Sequence, residues 1–204
     1  MMLSHSRFET LRIPLSRCFA VIIGLVIIFS TSKWEEISLT SNILFLMGCI
    51  LVGIAVLGRL WCSLYLAGYK DSILVTAGPY SMSRNPLYFF SLVGALGVGL
   101  ATETLLIPLI VLLLFTLYYP SVIRSEEKRL LSLHGEKFES YCKKTPRFFP
   151  KLSILKEPET YRVNPKIFRR NSFNALWFIW LIGILEMIET LHETGILPAY
   201  FKIY

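Results

Sequence analysis

The sequence predicts an all-α integral membrane protein with about five transmembrane helices and a helical segment on the cytoplasmic side. Hydrophobic residues make up 54% of the 204 residues and charged residues only 17%, against roughly 25% charged residues in soluble domains. The mean hydropathy is +0.56. Because such a chain cannot cover a folded surface with polar groups, a soluble domain, a disordered chain and a disulfide scaffold are excluded. The length suits one membrane-embedded domain over residues 1–204.

Five stretches that lack Asp, Glu, Lys and Arg are the candidate spans. A bilayer core requires about 20 mostly apolar residues per helix. The middle three stretches are long enough, and the first becomes so if it starts near Ile13. The last becomes long enough only if it includes Glu186 and Glu189. The stretches are Cys18–Ser32, Ile37–Gly58, Asn85–Thr102, Thr104–Ile123 and Asn171–Leu185.

The basic residues predict the orientation of these spans. Of the 21 Lys and Arg residues, 19 fall on one side, and only Lys33 and Lys202 fall on the other. Since basic loops stay cytoplasmic, the N-terminus is predicted to be cytoplasmic. The net charge of +7 then indicates contact with anionic membrane lipids rather than nucleic acid. The sequence carries no eukaryotic retrieval signal, which favours a bacterial inner membrane.

The N-terminal segment also resembles a signal peptide. Basic residues precede an apolar run that ends at Ser30-Thr31-Ser32, which is the order found in secretory leaders. We favour an uncleaved anchor, because removing the first span would destroy the sorting of the basic residues.

The segment from Thr76 to Tyr88 is the first candidate for chemistry. Gly78-Pro79 is a turn signal, and Asn85-Pro86 places a capping residue before a proline at the first helical position. The third span should therefore begin at Pro86. Its free N–H groups and Arg84 suit an anion. An arginine that snorkels beside a membrane helix is the alternative.

Two further segments follow the fourth span. Glu126 and Glu127 lie where carboxylates could stabilise a ligand cation, although an ion pair such as Glu126 with Arg129 explains them as well. We expect this helix to continue to Gly135. Beyond it, prolines flank Arg147 and two phenylalanines, a pattern that is also typical of an interfacial belt.

Two other patterns are interpreted more plainly. Gly94, Gly97 and Gly99 lie inside an uncharged span and follow no strand, so they predict close helix packing rather than a dinucleotide site. Glu189 and His192 share a helix face and could hold a metal, but a helix end that emerges into water explains them equally. The four cysteines form no C-x-x-C pair, and no metal site is predicted.

The segments at residues 76–88 and 126–150 resemble the two signatures of the isoprenylcysteine carboxyl methyltransferase family. Thr76-Ala-Gly-Pro-Tyr80 and Arg84-Asn-Pro-Leu-Tyr88 resemble G-P-Y…R-H-P-x-Y-x-G. Glu126-Glu127, His134-Gly-Glu136, Tyr141 and Pro146-Arg147 resemble E-E…F-G-E-x-Y…Y…P-R. The match covers about residues 55–152 and leaves out the C-terminal segment 153–204. The phospholipid N-methyltransferases look related.

The resemblance implies a membrane enzyme that uses S-adenosylmethionine (SAM), with a cofactor pocket between the last spans and the cytoplasmic segment. A lipophilic acceptor is implied: a prenylated cysteine carboxylate, a phospholipid amine or a small thiol. No obligate protein partner is evident. Arg84 and Glu126 are the expected catalytic residues. By motif position, one wall would hold Tyr80, Arg84, Asn85, Pro86 and Tyr88, and the other Glu126, Tyr141 and Arg147, with Glu127 nearby.

The sequence departs from the family pattern at two positions. Asn85 stands where the signature has His, which excludes an imidazole base there, and Phe90 replaces a glycine and is expected to reshape the pocket entrance. Two alternatives stay open. A membrane reductase could hold NADPH with Arg84, Arg147 and the Lys143-Lys144 pair, and a lipid-binding subunit could retain a degenerate pocket.

Overall fold

The computed structural model describes residues 21–33, 38–69 and 72–203. They form an all-α bundle to which two three-residue strands are added. The helices are α1 (residues 21–29), α2 (Ser38–Leu66), α3 (Pro79–Met82), α4 (Pro86–Leu100), α5 (Leu106–His134), α6 (Glu136–Lys144) and α7 (Pro165–Glu193), with a short 3₁₀ helix at Leu152–Ile154. The strands are β1 (Ser30–Ser32) and β2 (Phe201–Ile203).

Three of these helices are long and apolar enough to cross a membrane: residues Leu39–Leu66 of α2, and the whole of α5 and α7. Helix α4 is equally apolar but has only 15 residues. The predicted helical membrane fold is therefore confirmed, and the protein is an integral membrane protein. The predicted start of the first span near Ile13, and with it the question of a signal peptide, lies outside the described residues.

One predicted span boundary changes and another is confirmed. Helix α2 continues to Leu66, so the prediction that this span ends at Gly58 is wrong. Residues 59–66 contain neither Gly nor Pro, and nothing local breaks the helix. Arg59, which the charge pattern placed in a loop, therefore lies inside α2. Helix α7 extends to Glu193 and includes Glu186 and Glu189, as the span length required.

Glycines bring α2 and α4 into contact. A Cβ atom added at Gly97 would lie 2.8 Å from the Gly48 carbonyl oxygen, and one at Gly48 would lie 2.6 Å from the Gly97 carbonyl oxygen. At Gly94 an added Cβ would meet the Phe178 ring of α7 at 2.8 Å. The predicted close packing is confirmed, because only glycines permit these backbones to approach so closely.

One end of the bundle gathers the segments that carry the two signatures. After α6 the chain runs back along α3. The N–H of Gly78 donates to the Lys156 carbonyl at 2.8 Å, the N–H of Arg84 to the Pro146 carbonyl at 2.9 Å, and the N–H of Lys151 to the Met82 carbonyl at 3.0 Å. The first signature is thereby fixed against the chain that follows the second.

The opposite end is closed by the parallel pair β1–β2, with Ser30 opposite Phe201. Strands of three residues are too short to show an alternating pattern, so the sequence did not predict them. A cavity of about 50 Å³ beside them is lined by residues that include Glu103, Glu189 and His192. Over residues 21–33, 38–69 and 72–203, no three His, Cys, Asp or Glu side chains are grouped to hold a metal ion.

Candidate active site

The start of α4 positions the first signature. Pro86 is the first residue of α4 and Asn85 stands at the N-cap position, as predicted. The predicted capping by the Asn85 side chain is wrong, because no cap hydrogen bond forms. Its amide nitrogen instead donates to the Arg147 carbonyl at 2.9 Å. Since Asn85 is buried, this bond satisfies the amide inside the protein and joins the two signatures.

The end of α5 positions the two glutamates. The helix continues through both residues and ends at His134, before Gly135 with φ of 49°, which confirms the predicted stop. Adjacent residues on a helix point about 100° apart, so the two carboxylates face different partners. Glu126 meets Tyr88, and Glu127 meets two arginines.

Glu127 forms the central ion pairs of the site. Its carboxylate lies 3.1 Å from a terminal nitrogen of Arg84 and 2.9 Å from one of Arg147. The side chains of Arg84 and Glu127 are 13% and 12% exposed, whereas that of Arg147 is 52% exposed. Arg84 also donates to Cys142 Sγ at 2.7 Å. Arg84 is thus paired inside the protein, and the snorkelling alternative does not describe it.

Glu126 is the more accessible carboxylate. One oxygen accepts a hydrogen bond from the Tyr88 hydroxyl at 2.7 Å. The other lies 3.7 Å from the Arg129 guanidinium, a longer contact that is shared with solvent. The carboxylate therefore keeps capacity for a further cation or donor. The ion pair with Arg129 that the sequence offered is therefore present, and the binding of a ligand cation by Glu126 stays a prediction.

Tyr80 and Tyr141 lie beneath this cluster. The Tyr141 hydroxyl donates to the Tyr80 carbonyl at 2.6 Å, whereas the buried Tyr80 hydroxyl has no hydrogen-bond partner among the described residues. Burial raises the pKa of both phenols, and that of Tyr80 rises further because Cys62, Tyr141 and Glu126 are near. Both side chains therefore stay neutral near pH 7 and cannot act as bases there.

Sequence reasoning missed several contributors to this site. Tyr119 packs edge-on against Tyr88 at 5.4 Å and stacks on Phe115 at 3.8 Å between ring centroids. Phe115, Tyr119 and Glu126 are spaced by four and seven residues, which places them on one helix face. That spacing could have identified the aromatic wall. Nothing in the pattern indicated the contact of Cys142 with Arg84.

The two departures from the family pattern have structural explanations. Asn85 bonds to the second signature, as described above. Phe90 packs into a notch at Gly58 of α2, where an added Cβ would lie 2.2 Å from the ring. Its bulk is therefore taken up between α2 and α4, beside the buried cluster of Cys62, Tyr65 and Tyr80.

The residues present fit SAM. Its ammonium requires an accessible carboxylate, which Glu126 supplies, and its carboxylate requires a donor, which the half-exposed Arg147 supplies. The buried Nε of Arg84 has no partner among the described residues and is available to donate to a bound ligand. The rings of Tyr88 and Tyr119 offer surfaces for an adenine or a sulfonium.

Known proteins resemble this chain in sequence. The phospholipid methyltransferase family model matches residues 37–137. The chain is 39% identical to the cobalt-zinc-cadmium resistance protein CzcN of Cupriavidus metallidurans, over 92% of this chain and 86% of CzcN. It is 38% identical to the nickel-cobalt-cadmium resistance protein NccN of Alcaligenes xylosoxydans xylosoxydans, over 93% of this chain and 88% of NccN.

A shorter match is to the protein-S-isoprenylcysteine O-methyltransferase of Schizosaccharomyces pombe, at 33% identity over 40% of this chain and 34% of that enzyme. No solved structure matches the chain. The helical membrane fold, the joined signatures and these matches lead to one conclusion: the chain belongs to the same family as CzcN and NccN, and its residues 37–137 match the phospholipid methyltransferase family.

Proposed function

We propose that this protein transfers the methyl group of SAM to a lipophilic acceptor at the cytoplasmic face of a bacterial inner membrane. The observation that carries the proposal is the joining of the two signatures. The Tyr88 hydroxyl bonds to Glu126, and Glu127 pairs with Arg84 and Arg147. An accessible carboxylate, a half-exposed guanidinium and aromatic rings are thereby brought together where α4 and α5 meet.

Each residue has a proposed role in this site. Glu126 binds the ammonium of SAM, and Arg147 binds its carboxylate. Tyr88 orients Glu126, while Tyr80, Asn85, Pro86 and Tyr141 hold the first signature in place. Arg84, anchored by Glu127, directs its unpartnered Nε–H to the acceptor. SAM supplies an electrophilic methyl group, and the chain contributes alignment more than strong base catalysis.

The test is calorimetric titration of detergent-purified protein with S-adenosylhomocysteine, the product form of the cofactor, with NADPH as a parallel ligand. We expect micromolar binding of the first alone. Glu126→Gln should weaken binding more than tenfold, because a charge-assisted hydrogen bond contributes about 1.5–3 kcal/mol.

Glu139→Gln is the matched control, since Glu139 is an exposed acid of α6 with no ion pair among the described residues. It should bind like the parent. Binding of NADPH alone would favour the alternative function of a membrane reductase. If folded protein binds neither ligand, the remaining alternative is a lipid-binding subunit without catalytic activity.

The names of CzcN and NccN suggest a cellular setting for this activity. Both are metal resistance proteins that this chain matches over more than four fifths of their length. We propose that the methyl transfer supports growth in the presence of cobalt, zinc, cadmium or nickel. A deletion strain should be sensitive to these metals and be rescued by the parent gene but not by Glu126→Gln. Full rescue by that variant would favour a non-catalytic role.

A further inference from the structure

A half-buried arginine outside the signatures lies between three helices. Arg59 of α2 donates to the Ser91 hydroxyl of α4 and, at 3.5 Å, to the Asn174 carbonyl of α7. Its guanidinium carbon lies 5.6 Å from the centre of the Phe178 ring. Arg59 of α2 therefore contacts both α4 and α7.

The charge of Arg59 is not neutralised within the described part of the chain. No described Asp or Glu forms an ion pair with it, and its buried Nε–H has no partner. An arginine side chain stays protonated in proteins. One hydroxyl, one carbonyl dipole and an aromatic face compensate a full charge only in part. An unpaired cation among membrane helices therefore indicates an anionic ligand.

The depth of Arg59 indicates where that ligand comes from. Arg59 precedes the end of α2 at Leu66 by seven residues, which is about 10 Å along the helix. Ser91 lies five residues inside the start of α4 at the same end of the bundle. The guanidinium thus lies among three helices, about 10 Å from the end of the bundle that carries both signatures. This depth is similar to the thickness of a lipid headgroup layer.

Arg59 also lies next to the proposed reaction site. Cys62 follows it by one turn of α2 and packs in the same cluster as Tyr80. The Tyr80 hydroxyl has no partner among the described residues, and Glu126 and Tyr88 lie near it. A molecule held by Arg59 would therefore lie close to the two residues through which the signatures meet.

Building on the methyltransferase function proposed above, we infer that Arg59 binds the acidic group, a carboxylate or a phosphate, of a membrane-embedded amphiphilic acceptor. Such an acceptor keeps its chains among the spans and its acidic headgroup at Arg59. A neutral lipophilic thiol would leave the guanidinium unpaired. The inference therefore narrows the acceptors to a prenylated cysteine carboxylate or a phospholipid.

The test compares charged and neutral amphiphiles in a non-ionic detergent, with binding measured by tryptophan fluorescence. The probes are oleate against oleamide, and dioleoyl phosphatidic acid against dioleoylglycerol, with acetate and inorganic phosphate as soluble anions. We expect the parent to bind at least one acidic probe tenfold more tightly than its neutral counterpart. Binding of oleate would indicate a carboxylate acceptor, and binding of phosphatidic acid would indicate a phosphate-containing acceptor.

Arg59→Met is the main variant, because methionine has a similar length and removes the charge. It should lose the preference for the acid, retain S-adenosylhomocysteine affinity within twofold, and melt at the same or a higher temperature without ligand. A merely structural arginine would instead give a lower melting temperature and an unchanged preference. Arg59→Lys should retain part of the preference, and Arg170→Gln, at an exposed cation of α7, should retain all of it.

Three results would overturn the inference: no preference in folded parent protein, the same preference in Arg59→Met, or inorganic phosphate bound as tightly as phosphatidic acid. The proposed function is judged separately. If the parent shows the Arg59-dependent preference but does not bind S-adenosylhomocysteine, the anion site is retained and the methyltransferase function is rejected.

Discussion

The ion pairs of Glu127 give the sharpest prediction about the stability of the site. Glu127→Gln removes the negative charge shared by Arg84 and Arg147. Loss of the pair with Arg84, whose side chain is 13% exposed, should cost about 1.5–3 kcal/mol. Loss of the pair with Arg147, which is 52% exposed, should cost about 0–1 kcal/mol because solvent screens it. The total of about 1.5–4 kcal/mol corresponds to a melting temperature roughly 3–16 °C lower.

The assay is thermal unfolding in detergent, followed by intrinsic tryptophan fluorescence. Glu139→Gln serves as the control and should shift the melting temperature by less than about 2 °C, because it changes an exposed acid. Double-mutant cycles should give a larger coupling of Glu127 with Arg84 than with Arg147. If Glu127→Gln has the same melting temperature as the control, the buried ion pair does not hold the two signatures together.

Three further predictions concern packing, hydrogen bonding and pH. Gly97→Ala should destabilise the protein by about 1–3 kcal/mol because its Cβ would meet the Gly48 carbonyl. Gly53→Ala, whose Cβ would meet no atom within 4 Å, should stabilise it by up to about 1 kcal/mol. Equal melting temperatures of the two variants in thermal unfolding would refute the packing argument. Tyr141→Phe loses the hydrogen bond to the Tyr80 carbonyl and should lower the free energy of unfolding by about 1–2 kcal/mol. Tyr80→Phe should leave that free energy unchanged or raise it. Chemical denaturation measures both, and a less stable Tyr80→Phe than Tyr141→Phe would contradict the assigned hydrogen-bond partners. Because the pKa of both phenols is raised in the folded protein, their contribution to stability is fully present below pH about 10 and is lost as the pH rises above it. The double Phe variant should show a shallower alkaline loss of melting temperature than the parent, and identical slopes would argue against burial of these hydroxyls.

Local patterns in the sequence predicted much of the fold. The start of α4 at Pro86 and the end of α5 at Gly135 follow from residues with strong positional preferences. The glycines of α4 predicted close packing without naming the partner helix. The end of α2 was misplaced because a single charged residue, Arg59, was taken as a boundary. A charge ends an apolar stretch, but it does not end a helix.

The candidate site was predicted as a set of residues but not as an arrangement. Motif position identified both glutamates and both arginines, yet only the structure assigns Glu127 to the arginines and Glu126 to Tyr88. These pairings depend on how α5 is rotated against α4, which local sequence does not encode. Asn85 was expected to cap its helix, but its amide bonds across to Arg147. A tertiary contact displaced the local one there.

The proposed transfer of a methyl group from SAM to a molecule in the membrane can be measured directly. The most direct measurement incubates SAM carrying a labelled methyl group with native membranes that contain the parent protein, the Glu126→Gln variant or neither, followed by extraction into organic solvent. We expect label in a lipid of the organic phase with the parent alone. An organic phase with equal label in all three samples, although folded protein is present, would contradict it.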